Sequence, residues 1–382
     1  MRIGQVAHAS VGGSTRVAVD LGRILAARGH AVHFFAAKPV AGVSERTIGT
    51  HWLDAGANGG LSSKLDTDWP ERRIDAFVEL LAEAALQARL EVLHFHYGLP
   101  FAEVAAGVRR ALGDDCPMLV LTLHGTDVSV LDRVRERMLY DGLAAVDVLT
   151  TVSASHAALI ERRLDASPAV IPNFVDLERF RPGRGRWRRR RPRIAYVSNF
   201  RPVKNSAAAA RVFASVCRQL DAELWLIGDG ELLPAVRDAL REHAVLDRVR
   251  FCGLRIDVHR FLPRTDLMLV TSHTESFGLA ALEALACGVP VVAPDVGGLP
   301  EVVDDGTTGL LFEPGDEGSA VEAVRRILCD GQLLGAMRSA ARRHAHSFAS
   351  DAVVGRYEQL YQSASRRAAH PQLVAAGRAC AR

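Results

Sequence analysis

Residues 271–301 read Thr-Ser-His-Thr-Glu-Ser-Phe-Gly-Leu-Ala-Ala-Leu-Glu-Ala-Leu-Ala-Cys-Gly-Val-Pro-Val-Val-Ala-Pro-Asp-Val-Gly-Gly-Leu-Pro-Glu. The apolar run before them, Leu267 to Val270, predicts a buried parallel strand. A polar loop ending in Glu275-Ser276-Phe277-Gly278 follows, then a helix to about Ala286 that Gly288 stops in the left-handed conformation. Pro290–Pro294 reads as the next strand, and Gly297-Gly298 opens another turn. Strand, loop, helix and strand in that order belong to an open α/β sheet, whose ligands sit outside the carboxyl ends of strands beside helix N-termini. Glu275 lies on such a loop. Glu283, eight residues on, falls little more than one turn inside the helix. The pair admits two readings: carboxylates that hold hydroxyl groups of a ligand, or an acid favouring the helix dipole beside a solvated Glu.

Outward from this stretch the same alternation fills the chain. Strand patterns at 2–8, 31–37, 92–96, 118–123 and 148–152 are interleaved with helical patterns at 15–28, 74–89, 100–112 and 132–145. It restarts with a strand at 194–197, a helix at 207–220, a strand at 223–227, a helix from Glu231 and a strand at 249–252. The expected architecture is α/β with two doubly wound halves, residues 1–173 and 193–346, and a cleft between them as the natural ligand site. Residues 174–192 form the join, with seven arginines between Arg184 and Arg193. Such a run reads as a solvated linker or as a patch for a membrane surface or phosphate. Residues 347–365 include an amphipathic stretch, and 366–382 form an Ala/Arg-rich tail.

The 382 residues are 48% hydrophobic and 24% charged, with a net charge of +3, so no nucleic-acid or other polyanion partner is implied. The six cysteines form no C-x-x-C pair, no apolar run reaches the length of a membrane span, and Met1–His8 reads as a first strand rather than a secretory signal; the expected location is cytoplasmic.

Other strand ends carry chemistry. Gly12-Gly13-Ser14 between the first strand and helix suits an anion at backbone N–H groups, or a plain turn with Ser14 as N-cap. The motif is not G-x-G-x-x-G, so a nicotinamide cofactor is set aside. His94-Phe95-His96-Tyr97 lacks further ligands at metal spacing; the histidines read as packed polar residues, with the Tyr97 hydroxyl at the strand tip. Thr122-Leu123-His124-Gly125-Thr126-Asp127 places His124 to meet a ligand hydroxyl, or to be satisfied by Asp127. Asn199-Phe200-Arg201-Pro202-Val203-Lys204 suits a diphosphate, with Arg as a fork and Lys as a point charge. Gly228-Asp229-Gly230 is either a phosphate- or base-facing turn or a common turn.

Glu-Ser-Phe-Gly-Leu with a second Glu eight residues after the first, followed by Glu-Ala-Leu-Ala-Cys-Gly-Val-Pro and Gly-Gly-Leu-Pro-Glu-Val, resembles the donor-site signature of the family 4 retaining glycosyltransferases. The motifs Ser-Val-Gly-Gly-Ser, His-Phe-His-Tyr-Gly-Leu-Pro, Thr-Leu-His-Gly-Thr-Asp-Val, Pro-Asn-Phe-Val-Asp and Val-Ser-Asn-Phe-Arg-Pro-Val-Lys extend the resemblance over about residues 2–361, toward a branch whose acceptor is malate. The position of Arg201, rather than an Arg at Asn199, also follows that branch, whereas residues 57–70 depart from it. The resemblance implies a GT-B fold with a late helix crossing back onto the first domain, and transfer of a sugar with retention from a nucleoside diphosphate sugar, UDP-N-acetylglucosamine first, to a small acceptor, L-malate first. It places the chain in low-molecular-weight thiol biosynthesis, with no resident cofactor or metal. It assigns Gly12, Gly13, Asn199, Arg201 and Lys204 to the diphosphate, Glu283 to the ribose, and Gly228, Asp229 and Gly230 to the base. Glu275 and the backbone of Ser276, Phe277, Gly278 and Leu279 take the sugar and phosphate, His124 faces the anomeric carbon, and Ser14, Tyr97 and Thr122 meet the acceptor. Alternatives within the resemblance are another nucleotide sugar with a thiol acceptor, a membrane lipid acceptor met through the Arg run, an epimerase or non-catalytic binder of the same fold, and a homo-oligomer.

Overall fold

The computed structural model describes residues 1–10, 12–54, 66–183 and 191–369. Val11, most of the 57–70 departure, the core of the Arg run (184–190) and the end of the tail lie outside the described residues. The chain divides into one unit of residues 1–172 with 351–382, and another of residues 173–350.

The first unit is a seven-stranded sheet of β1 (Arg2–Ala7), β2 (Ala31–Ala36), β3 (Gly49–Trp52), β4 (Val92–His96), β5 (Met118–Leu123), β6 (Val148–Thr151) and β7 (Ala169–Val170). Its order is β3-β2-β1-β4-β5-β6-β7, parallel at every pairing. Because helices cover a parallel sheet on both faces, β4 and β5 are buried at every residue, which is why they read as unbroken runs. The edge strand β3, Gly-Thr-His-Trp, has no apolar run and is not expected from the sequence. The first helix spans Gly13–Ala27 with Gly12 as N-cap and no side-chain cap bond, so Ser14 is not the cap but a buried residue of the first turn. Thr15 closes the preceding loop instead: its hydroxyl donates to the His8 carbonyl (2.9 Å) and meets Ser10 Oγ (3.1 Å).

The second unit is a six-stranded parallel sheet of β8 (Arg193–Val197), β9 (Glu223–Ile227), β10 (Val249–Gly253), β11 (Leu267–Leu269), β12 (Val291–Pro294) and β13 (Gly309–Phe312), ordered β10-β9-β8-β11-β12-β13. Residues 174–183, expected in the join, and residue 173, expected in the first half, pack into this unit. Arg342 donates to the carbonyls of Leu177 (3.2 Å), Phe180 and Ala286 (both 2.8 Å), and Phe180 is buried. In each sheet the strand order reverses at the first strand of the unit, β1 or β8, the topological point where open sheets take ligands.

The last helix, Ser350–Ala369, belongs to the first unit from Asp351 onward. Val353, Val354, Tyr357 and Tyr361, spaced for one helical face, are buried. Glu358 accepts from Arg28 (2.6 Å) and pairs with His30 (2.9 Å), Arg356 donates to the Val170 carbonyl (2.6 Å), and the Tyr361 hydroxyl meets His94 Nδ1 (2.7 Å) inside the core. Among the described residues, no helix is long and apolar enough to cross a membrane.

Replacing Tyr361 by Phe strips a fully buried imidazole nitrogen of its partner. The expected cost is about 1–3 kcal/mol of stability, read as a lower urea midpoint; an unchanged midpoint would remove this bond from the account.

Candidate functional site

In the second unit, the loops leaving β8, β9 and β11 at their carboxyl ends meet. After β8 the chain turns sharply at Phe200 (φ 46°), whose N–H donates to Ser198 Oγ (2.9 Å). A one-turn 3-10 segment, Pro202–Lys204, then leads into the helix Ser206–Cys217. The Lys204 carbonyl is held by the hydroxyls of Tyr196 (2.9 Å) and Thr271 (3.2 Å), and His273 N–H donates to the Val203 carbonyl (2.9 Å). The loops after β8 and β11 are therefore one hydrogen-bonded piece. It aims Lys204 Nζ at Glu275 Oε2 (2.5 Å), with Ser272 Oγ on the same oxygen (3.3 Å). With its amide oxygen turned to Arg201, Asn199 accepts from Nη2 (3.0 Å) and Nε (2.8 Å), fixing the plane of the guanidinium.

Two glycine pairs make this possible. A Cβ at Gly228 or Gly230 would lie 1.8 Å from the carbonyl oxygens of Ser198 or Asn199, and one at Gly297 only 1.9 Å from that of Glu275, which already accepts from Gly298 N–H (2.8 Å). Backbone packing thus accounts for both glycine turns. Asp229 is exposed and caps the Gly230 N–H (2.9 Å). The Phe277 side chain is buried in the core, so at that position only the backbone is offered outward. Gly278 (φ 97°) caps the helix Leu279–Ala286, and within it Glu283 is 3% exposed, not the solvated Glu that one reading expected. Its charge, after burial itself, helps push the Cys287 thiol far up.

In the first unit, the carboxyl ends of β1, β4 and β5 carry Gly12, Tyr97 and His124. Asp127 satisfies His124, but through the backbone: its carboxylate accepts from the N–H of His124 (2.8 Å), Gly125 (2.5 Å) and Gly98 (3.2 Å). The His124 ring instead faces His96, Nε2 to Nδ1 at 3.2 Å. His96 Nε2 donates to Gln5 Oε1 (2.7 Å), so the Nδ1 of a neutral His96 is a lone pair and His124 Nε2 carries the proton between them. The lone pair of neutral His124 then sits on Nδ1. Desolvation holds the rings uncharged: His94 and His124 are pulled down to about 3, His8 to about 4, and His96 well down.

Thr122 is fully buried between His94 Nε2 and Thr150 Oγ1 (both 2.6 Å), so the structure places it as the support of His94 rather than at an open ligand surface. The Tyr97 hydroxyl meets Thr126 Oγ1 (2.8 Å), and Ser14 is buried. Gln5, Ser272 and Tyr361 were missed from the sequence. Each acts through a partner far along the chain or through a loop turn, and none carries a local signal. Among the described residues no cluster of His, Cys, Asp and Glu has the arrangement of a metal site, and the described cysteines are unpaired.

Residues 11–179 match the family described as Glycosyltransferase Family 4, and residues 180–344 match Glycosyl transferases group 1. The chain is 32% identical to the N-acetyl-alpha-D-glucosaminyl L-malate synthase of Bacillus anthracis, over 96% of this chain and 98% of the relative. It is 31% identical to a D-inositol 3-phosphate glycosyltransferase of Geodermatophilus obscurus, over 94% and 86%. Among solved structures, sucrose-phosphate synthase from Thermosynechococcus elongatus superposes with TM-score 0.78 at 23% identity, covering 95% of this chain and 99% of that one. Anabaena HepE in complex with UDP-glucose gives 0.76 at 18%, covering 95% and 100%.

The unfolded chain protonates these histidines near pH 6.5, the folded chain only near 3 to 4. The unfolded state therefore binds more protons in between, and stability falls as pH drops from 6.5 toward 4. Urea midpoints across that range should show the decline, and His8→Phe, between the rings of Tyr97 and Phe101, should flatten it. Equal slopes for the variant and wild type would contradict the assignment.

Gly297→Ala should displace the Glu275 carbonyl. Its expected signature is a lower melting temperature together with weakened binding of a nucleoside diphosphate; unchanged values for both would show that the close approach is unimportant.

Proposed function

Since the chain belongs to the group 1 and family 4 glycosyltransferases and is a hexosyltransferase with two Rossmann-like halves, we propose that it transfers N-acetylglucosamine from UDP-N-acetylglucosamine to L-malate, with retention at the anomeric carbon. The observation that carries the donor half is the joined loop pair after β8 and β11, with Lys204, Arg201 and Glu275 on one rigid piece. In this reading Arg201 forks onto the diphosphate and Lys204 adds a point charge to it, so the leaving group is neutralised by fixed cations without a metal. Glu275 then takes sugar hydroxyls, the backbone of Ser276 to Leu279 the sugar and phosphate, and Glu283 the ribose.

Lys204 and Glu275 are paired with each other in the structure. A diphosphate arriving beside Lys204 competes for the ammonium and frees Glu275 Oε2 to accept from a hydroxyl, which ties the two roles together. Gly12 supports a phosphate at the first helix: among the described residues beyond its chain neighbours, a Cβ there would come no closer than 3.5 Å to another atom, so that packing does not demand glycine. His124, neutral with its lone pair on Nδ1, is suited to accept from a sugar hydroxyl near the anomeric carbon. The departing phosphate oxygen receives the acceptor's proton, so no protein nucleophile is required.

The malate half rests on similarity to the malate synthase over 96% of the chain. A second acceptor, an inositol phosphate, is favoured by comparable identity to the inositol 3-phosphate enzymes. Incubation with UDP-N-acetylglucosamine and either acceptor, read by product mass and anomeric coupling, decides between them. The expected product is the α-linked malate glycoside, and product with inositol phosphate alone would overturn malate. Lys204→Ala and Glu275→Ala should each lower kcat/KM by about 10²–10³-fold with the fold intact; wild-type turnover in either would refute the donor assignment.

A further inference from the structure

Outside these loops, the second unit holds a groove of about 670 Å³ whose lining includes Glu178, Arg179, Arg181, His259, Arg260 and Arg264. Four arginines face one glutamate there. Several arginines elsewhere in the unit are matched to acids: Arg193 to Glu223, Arg211 to Glu317, Arg255 to Asp257 and Arg338 to Asp266. Arg181 and Arg260, both exposed, make no ion pair or side-chain hydrogen bond among the described residues. The nearest acid to Arg260 in sequence, Asp257, is already held at both oxygens by Arg255 (2.8 and 2.9 Å).

Like charges gathered in a concave surface repel unless an anion joins them. Part of the groove is already fixed in place. Arg179 donates through Nη2 to the Ile256 carbonyl (3.0 Å) and through Nε to His259 Nδ1 (3.3 Å). A nitrogen that accepts from a guanidinium is unprotonated, so the proton of neutral His259 sits on Nε2 and adds a donor. The volume lies in the range of small-molecule sites, and the guanidinium fork suits phosphate oxygens bidentately.

We propose that this groove binds a small soluble anion carrying two or more linked phosphates, at a site separate from the donor loops. The separation follows from the chain. The segment 259–264 leads into the amino end of β11 through Asp266, whose N–H donates to the Arg193 carbonyl (2.8 Å), whereas Lys204, Gly228 and Glu275 follow the carboxyl ends of their strands. Arg181 and Arg260 supply the two unpaired forks, and Arg179 with His259 the fixed wall.

Calorimetric titration with inorganic tripolyphosphate at low salt tests this in the Lys204→Ala protein, where the donor loops are weakened. That protein should still bind tripolyphosphate. Adding Arg181→Ala and Arg260→Ala should weaken binding by about tenfold or more, while Arg181→Lys with Arg260→Lys should recover part of it. The Arg run at 184–190 is unchanged in all variants, so the difference belongs to the groove. The two arginines are exposed, and equal melting temperatures confirm that the fold is kept. Equal affinity with and without the alanine pair, no binding by the Lys204→Ala protein, or an effect seen only on vesicles of anionic lipid and not on tripolyphosphate, would each overturn the proposal.

Discussion

A parallel strand cannot pair with its successor until the chain has crossed back to the edge from which the first strand started. Each crossing here runs through a helix or an equivalent segment on a face of the sheet, so every strand delivers its loop to the same edge. That constraint gathers residues from far-separated parts of the sequence. Lys204 and Glu275, 71 positions apart, share a hydrogen bond because β8 and β11 are neighbours in register, Leu267 beside Ile194 and Met268 beside Ala195. In the first unit the same rule sets His96 beside Thr122 in the β4–β5 register and brings the His124 ring to His96.

What the edge then does with those residues depends on desolvation. A half-buried ammonium and carboxylate can be kept in one another's company without a large penalty, since each satisfies the other and water still reaches both. The buried imidazoles of His94 and His96 have no carboxylate on their rings and stay neutral. They are held by hydroxyls and an amide: Tyr361, Thr122 and Gln5. The two units therefore offer different chemistry, one a fixed ionic pair able to exchange partners with an anion, the other an uncharged polar chain that fixes a tautomer.

The parallel α/β class and most strands are legible in the sequence because buried strands such as Val92–His96 and Met118–Leu123 are apolar throughout and glycine or polar residues mark their ends. β3 was not legible, since an edge strand needs only one partner and half-burial, and Gly-Thr-His-Trp carries neither a run nor an alternation. Of the candidate site, Lys204 and Glu275 stood out from their motifs, but their contact with each other did not. Motif spacing says which strand end a residue occupies and nothing of which neighbour that strand pairs with. Thr122 shows the opposite failure: a hydroxyl near a strand tip looks available until burial turns it inward onto His94. Ser14 fails for a subtler reason. The helix starts two residues early at Gly13, because Thr15 closes the loop and leaves Gly12 as the cap.

If Lys204 and Glu275 hold the donor as proposed, their pairing also bears on how selective that end is. A lone lysine would bind any passing phosphate, since a point charge has no geometry. Here an anion competes with Glu275 for the ammonium, and a carboxylate released from it keeps, among the described residues, the Ser272 hydroxyl on that oxygen. The cost is recovered when a hydroxyl group arrives together with the phosphate. A free phosphate lacks that hydroxyl, and a free sugar lacks the charge that opens the pair. On the proposed donor reading, a molecule carrying both on one short frame satisfies the groups it disturbs, and a sugar joined to a diphosphate is one such molecule.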